Sequence, residues 1–381
     1  MTTWLDPRPF LRGVAWLDEG RPVRADPADR GRLPWDVCER AALPIGVRLE
    51  FIAEGAAAVE IRYRAAGSDG TAHGDSGDPA RGRTALPDCF ALWHSGGRVG
   101  ETYVEPAAEA VVTVPLPATE DARLRRLIVH PPESRSPEFL GLRAVGGRIA
   151  PAPAQPRWLV HGDSITEGWW STRPAHSWPA RVGRSLGLDT VNLGYAGSAH
   201  GEPAVAEQLA TLPADLITLA FGTNCWTDVP SSPPLLYETV RAFLTVVRQG
   251  HPRTPLLVVS PVVRPEAEHV PNRLGATFAE LRTALERAVT DRIGDADTRL
   301  ALLPGRDVIG PGQLADGVHP HDEGHAALAV AVGEALRSLG VCAAGVSGVA
   351  RVPWRRRLLH HEQALAQSGR DPRQQPGDVH L

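Results

Sequence analysis

Ser164 follows an apolar run, Trp158-Leu159-Val160, inside the stretch HGDSITEGWW at residues 161 to 170. A tight turn at Gly162-Asp163-Ser164, with a helix-compatible segment after Gly168, sets this hydroxyl at the C-terminal edge of a strand. Open α/β sheets gather their ligands at that edge. A serine hydroxyl is a poor nucleophile near neutral pH and needs a base that takes its proton as it attacks. His319 is the candidate base. Asp316, three residues earlier, can accept from its Nδ1–H in a turn, which fixes the tautomer and stabilises the imidazolium. A tetrahedral intermediate also needs donors at its oxyanion. The Ser164 N–H, the Gly194 N–H and the Asn224 side-chain amide are the candidates. Together these residues imply acyl transfer through an acyl-Ser164 intermediate, a chemistry that requires no metal or redox cofactor.

Other residues compete for roles. Spacing alone would let His319, His321 and His325 bind a metal, but a base must stay unliganded, so a metal site is not expected. Cys225, next to Asn224, reads as a small, partly buried thiol rather than a rival nucleophile. His161 and His200 flank cleft-forming turns and are candidates for substrate contact. Trp169, Trp170, Trp178 and Trp226 lie just downstream of Ser164 or Asn224 and are candidates for aromatic walls around an acyl group or a ring-shaped substrate. All 40 basic residues are arginine, which excludes Schiff-base and Ser-Lys mechanisms. His73-Gly74-Asp75-Ser76 repeats the tetrapeptide His161 to Ser164. It sits in a polar Gly/Asp/Ser run with no apolar strand before it, so a surface loop is expected there.

Four stretches at strand ends must converge for this chemistry: Gly162 to Ser164, Asn192 to Gly194, Gly222 to Asn224 and Asp316 to His319. From Trp158 onward, strands are expected at 158–162, 190–193, 215–221, 255–262 and 299–303. Helices are expected at 177–186, 202–212, 234–248, 277–292 and 321–339. Such alternation predicts a parallel sheet covered by helices on both faces. Before it lie short β-type runs at 45–52, 58–64, 89–94, 110–116, 124–130 and 139–144, with no helix expected between them; Val59, Ile61 and Tyr63, like Val47, Leu49 and Phe51, recur with a period of two. This predicts an antiparallel β-sandwich, either carbohydrate-binding-like or an accessory module. The expected organisation is therefore a sandwich domain at 1–149, a Pro/Ala linker at 150–157, the catalytic domain at 158–342 and a tail at 343–381 whose end is disordered.

Composition narrows the class further. A formal net charge of −4 gives no electrostatic case for nucleic acid or an anionic membrane. No window approaches about 18 uninterrupted apolar residues, so no membrane span is expected. The N-terminus lacks a signal-peptide pattern, and the four cysteines are scattered. These features predict a cytoplasmic protein with free thiols.

In order, the blocks GDSITEG, Gly194, GTN and DGVHP resemble those of the SGNH hydrolase superfamily, also called GDSL esterases and lipases, over about residues 157 to 340. The resemblance implies Ser164 as nucleophile, His319 as base, Asp316 as orienter and an oxyanion hole of Ser164, Gly194 and Asn224. It implies a flavodoxin-like three-layer α/β/α fold. The third block departs from the family pattern, because Cys225 stands where Asp is usual. No G-x-S-x-G elbow is present, which argues against an α/β-hydrolase. The two-part layout also resembles the salicylyl transferases that acylate tetracycline-type scaffolds. That likeness implies an O-acyltransferase using an acyl-CoA donor and a natural-product hydroxyl acceptor. The alternatives are an esterase of short acyl or carbohydrate esters and, remotely, an inactive binding module.

Overall fold

The computed structural model describes residues 3–65, 88–94, 97–105, 107–118, 126–227 and 229–340. The repeat at His73 to Ser76 and the tail after residue 340 lie outside the described residues.

Five strands build the parallel sheet: β12 (Arg157–Gly162), β13 (Asp189–Gly194), β14 (Leu216–Ala220), β15 (Leu256–Val259) and β16 (Leu300–Leu303). Their order is β13-β12-β14-β15-β16, the doubly wound arrangement whose order reverses beside β12. The strands are apolar on both faces because both faces are covered. Trp158 and Val160 pack with α3 (Trp178–Leu186) and α7 (Asp322–Ser338). Leu159, between them, packs with α4 (Pro203–Thr211), α5 (Pro233–Gly250) and α6 (Phe278–Gly294). Between β12 and α3, the one-turn helix α2 (Ser164–Glu167) follows the nucleophile turn.

The N-terminal half carries two antiparallel sheets. One joins β1 (Leu11–Arg12), β4 (Arg48–Glu54), β9 (Arg126–His130), β6 (Cys89–His94) and β7 (Gly97–Tyr103), with β11 (Arg148–Pro151) also on β4. The other joins β10 (Glu138–Val145), β5 (Ala58–Arg64) and β8 (Glu109–Pro115). Leu49, Phe51, Leu92 and Val129 from the first share one core with Val59, Ile61, Val112 and Leu142 from the second. The alternate residues of the first sheet are buried too. Arg48 and Glu50 are almost fully covered, and Arg48 bonds the Thr190 carbonyl (3.0 Å) and the Asp189 carboxylate (3.2 Å) at the β13 edge.

Ahead of the first expected β-type run lies a short helix, α1 (Trp35–Ala41), preceded by the small hairpin β2 (Trp16–Asp18) and β3 (Arg21–Val23). Seven residues are too few for a stable isolated helix. It is held by burying Val37 and Ala41 in the core beneath β13 and α4. Within the expected sandwich domain at 1–149, Ala25, Leu33, Val37 and Ala41 belong to the core of the parallel sheet. The stretch 150–157 is extended, but β11 takes it through Pro151 and β12 begins at Arg157. No described helix is long and apolar enough to cross a membrane.

Candidate active site

Every strand-end stretch singled out above reaches one rim. Ser164 is the first residue of α2, capped by Asp163, whose Oδ1 accepts the Ile165 N–H at 3.0 Å. Burial pushes the Asp163 carboxyl up, against the hydrogen bonds from Thr223 and Ile165. Gly168 ends the turn in the left-handed region at φ 97°.

Ser164 Oγ lies 2.8 Å from His319 Nε2, and His319 Nδ1 lies 2.7 Å from Asp316 Oδ2. The other carboxylate oxygen of Asp316 accepts the backbone N–H groups of His319 (2.8 Å) and Val318 (3.0 Å). This is an Asx-type turn that ties both residues into one rigid loop. Burial opposes ionisation of Asp316, but the bonds from the His319 ring and from these backbone amides outweigh it and hold the carboxyl well below the usual range. The ring therefore presents Nε2 to the serine with its Nδ1–H directed at a carboxylate. Trp169 stacks on the His319 ring, with centroids 5.4 Å apart and planes 26° from parallel.

The oxyanion donors need a correction. The Gly194 N–H donates to Asn192 Oδ1 at 2.9 Å, so it is not open to a ligand. Gly194 is glycine for a different reason: a Cβ there would lie 2.3 Å from the Glu167 backbone nitrogen. Its role is to let α2 sit against β13. Three residues on, Gly197 adopts φ 75° with open space where a Cβ would be. Among the described residues, neither its N–H nor that of Ser164 has an acceptor. The Asn224 side-chain amide donates to the Ser198 carbonyl, which fixes the 195–198 loop and leaves its second N–H for a ligand.

The aromatic candidates divide. Trp169 is 4% exposed and serves the histidine rather than a substrate face. Trp178 is a core residue, edge-on to Trp158 at 6.0 Å. Trp226 donates to the Val270 carbonyl (2.9 Å) beneath the Arg264 guanidinium. Trp170, 39% exposed and at φ 62°, remains open at the end of the stretch. His200 is turned to Glu202, 3.4 Å away. His161 is wholly buried against Phe243, Tyr195 and Phe221, out of reach of a substrate. His321 caps α7 through Nδ1, and His325 bonds the Trp169 carbonyl at 2.9 Å, so neither shares a ligand set with His319. Cys225 is buried and its thiol is pushed up to about 12 by desolvation, which leaves no thiolate near neutral pH.

Glu167, Arg24, Asp36 and Arg40 were not singled out in the sequence, yet all pack on the site's supports. Glu167 Oε2 accepts the Ala196 N–H at 2.8 Å. Its only local signal was its place in GDSITEG; the other three carried none.

Residues 160–327 match the model of the GDSL-like Lipase/Acylhydrolase family. Among solved structures, a salicylyl-acyltransferase from a tetracycline biosynthetic pathway is 25% identical, with a TM-score of 0.73 over 89% of this chain and 98% of its own. A family two carbohydrate esterase from Clostridium thermocellum is 13% identical, with a TM-score of 0.56 over 77% of this chain and 92% of its own. An acetyl xylan esterase from Butyrivibrio proteoclasticus is likewise 13% identical, at 0.51 over 78% and 91%. The two esterases share the fold. No curated protein matches the chain.

Proposed function

We propose, from the premise that residues 160–327 form an enzyme domain of the GDSL-like acylhydrolase family, that this chain is an O-acyltransferase. It moves an acyl group, aryl in the favoured case, from acyl-CoA to a hydroxyl of a small natural product. The observation that carries the acyl-transfer chemistry is the relay from Ser164 Oγ to His319 Nε2 (2.8 Å) and from His319 Nδ1 to Asp316 (2.7 Å).

In the first half-reaction Ser164 Oγ attacks the thioester carbonyl while His319 Nε2 takes the hydroxyl proton. Negative charge develops on the carbonyl oxygen, facing the Ser164 N–H, the Gly197 N–H and the free Asn224 amide hydrogen. The intermediate collapses, the thiolate leaves, and His319 returns the proton to it. In the second half an acceptor hydroxyl gives its proton to His319 and attacks the acyl-serine. Collapse then expels Ser164 Oγ, which recovers the proton. Asp316 stays ionised throughout and holds the imidazolium.

Transfer to an alcohol, over transfer to water, is supported by the likeness to the salicylyl-acyltransferase, which extends through the N-terminal half of this chain. The test is incubation with an aryl-CoA and a hydroxylated polycyclic acceptor, followed by mass spectrometry. Acylated acceptor is expected. Free acid alone, at a rate no acceptor changes, makes the protein an esterase. Ser164→Ala should lower either activity on the order of 10⁶-fold. Survival of a few per cent would remove Ser164 from the nucleophile's role.

A further inference from the structure

Arg24 is an arginine with 1% of its surface exposed, placed by β3 more than a hundred residues before the nucleophile turn. Its backbone N–H bonds the Ala41 carbonyl at 2.8 Å, which ties it to the end of α1. Its guanidinium lies over the Tyr195 ring, 5.2 Å from the centroid, and bonds along its whole fork. Nε donates to the Leu43 carbonyl at 2.7 Å, Nη2 to the Arg40 carbonyl and Nη1 to the Gly194 carbonyl. Glu167 Oε2 lies 3.7 Å from Nη2 and is equally buried.

Two of those partners are the supports of the reaction site. Glu167 lies in the same single helical turn as Ser164, and its Oε2 holds the Ala196 N–H. Gly194 starts the loop that carries Gly197 and Ser198. Tyr195 closes the link from the other side, donating its hydroxyl to the Arg24 carbonyl at 2.5 Å. The helix anchored by Arg24 then makes two more contacts on the rim. Asp36 accepts the Ser198 hydroxyl at 2.7 Å, beside the carbonyl that Asn224 holds. Arg40 lies over the Trp169 ring, the ring stacked on His319. Nucleophile turn, oxyanion loop and base are thus each touched by one short N-terminal segment.

We propose that Arg24 is a positioning residue for the acyl-transfer site, and that segment 24–41 belongs to the catalytic apparatus rather than to an accessory domain. A buried guanidinium with a fixed fork of donors has one geometry in which all its bonds are made, so it sets the distance between α2 and the 194–198 loop. Nucleophilic catalysis loses about 100-fold for misplacements near 1 Å. The inference rests on the reading of Ser164 as nucleophile.

The test measures the second-order rate at which a 4-nitrophenyl phosphonate labels Ser164, alongside kcat and KM for 4-nitrophenyl acetate and a thermal melt. Arg24→Met is expected to slow labelling about 10- to 100-fold, with the fall in kcat and KM within about twofold. Arg24→Lys, which keeps the charge and part of the donor set, is expected to recover part of that rate. A folded Arg24→Met variant that labels at the wild-type rate overturns the inference, however far its melting temperature drops. If removing the guanidinium beside the buried Glu167 carboxylate prevents folding, the double variant Arg24→Met/Glu167→Gln removes both buried charges and is judged by the same criterion. No labelling of the wild-type protein would instead overturn the reading of Ser164 itself.

Discussion

The N-terminal half meets the parallel sheet in two places, and they are built differently. At the active-site rim, every nitrogen of the Arg24 guanidinium has a backbone carbonyl or carboxylate partner. On the outer face of the first antiparallel sheet, matching is uneven. Arg48 is paired with Glu50 (2.7 Å) and Asp189 (3.2 Å). Arg184 of α3 stacks over Trp93 at 4.2 Å but makes no ion pair among the described residues. Its Nη1, the Trp93 Nε1 and the His130 Nε2 are all shielded from solvent without a hydrogen-bond partner. Burial, with Arg181 and Arg48 nearby, lowers the Arg184 pKa to about 9. The difference teaches that burial alone does not mark a polar residue as part of the machinery. Asp163 Oδ2, beside Ser164, is shielded without a partner just as Arg184 Nη1 is, so the contrast lies between the two arginines: every nitrogen of Arg24 is bonded, whereas Arg184 leaves one unmatched.

Four experiments can break or sharpen that contrast. The largest effect belongs to the rim: Asp316→Asn should lower kcat about 10⁴-fold, because the His319 tautomer is no longer fixed. Steady-state kinetics with folded protein checks this, and a loss under tenfold would show that the carboxylate is dispensable. Next is the paired residue of the far contact. Arg48→Met removes the buried guanidinium between Glu50 and Asp189, leaving Glu50 to Arg126 and Asp189 to Arg157, and should cost about 3 kcal/mol in urea unfolding while leaving kcat of the remaining folded enzyme within about twofold. A large fall in kcat would mean that this contact, too, positions the site.

The third experiment is the pH dependence of stability. Burial holds the folded-state pKa of His161 and His130 below the ordinary value, near 6.5 in the unfolded chain. The unfolded chain therefore binds protons there that the folded chain does not. Their contribution is fully present above about pH 6.5 and falls below it by about 1.4 kcal/mol per pH unit and group, until the folded pKa is reached. Asp316 and Asp322, whose folded values are depressed, lose their contribution only below about pH 4. His161→Phe, which fills the same aromatic cage, should flatten the decline between pH 6.5 and 5 by one group's share; an unchanged slope would remove His161 as its cause. The smallest effect is expected from Arg184→Met, within about 1 kcal/mol, because no ion pair is broken and a methionine can still cover Trp93. A cost near that of Arg48→Met would erase the distinction between the two arginines.

The elements with strong periodicity were legible. β5 spans Ala58–Arg64, as its alternation implies, β6 spans the continuous apolar run Cys89–His94, and the helices of the parallel layer begin and end within a few residues of expectation. β7 was not legible, because Gly97–Tyr103 holds Gly97, Arg98, Gly100 and Glu101 and has no apolar alternation. Helix α1 was invisible for a related reason: two turns after a proline carry too little local signal, and its stability comes from a core assembled by residues 159 to 302.

The sequence by itself determined which groups could react. A serine after an apolar strand, an Asp-x-x-His pair and an amide at a strand end are local facts, and chain order was enough to assemble them. Only the tertiary structure decided which donors are open and what holds them. Gly194 looked like an oxyanion donor, but its amide is taken by Asn192 two residues away, and the open amide is that of Gly197. Arg24 looked like one arginine among many, yet it bonds residues from three later segments. A residue's identity fixes what bonds it can make, whereas which of them it does make depends on what the fold brings within about 3 Å.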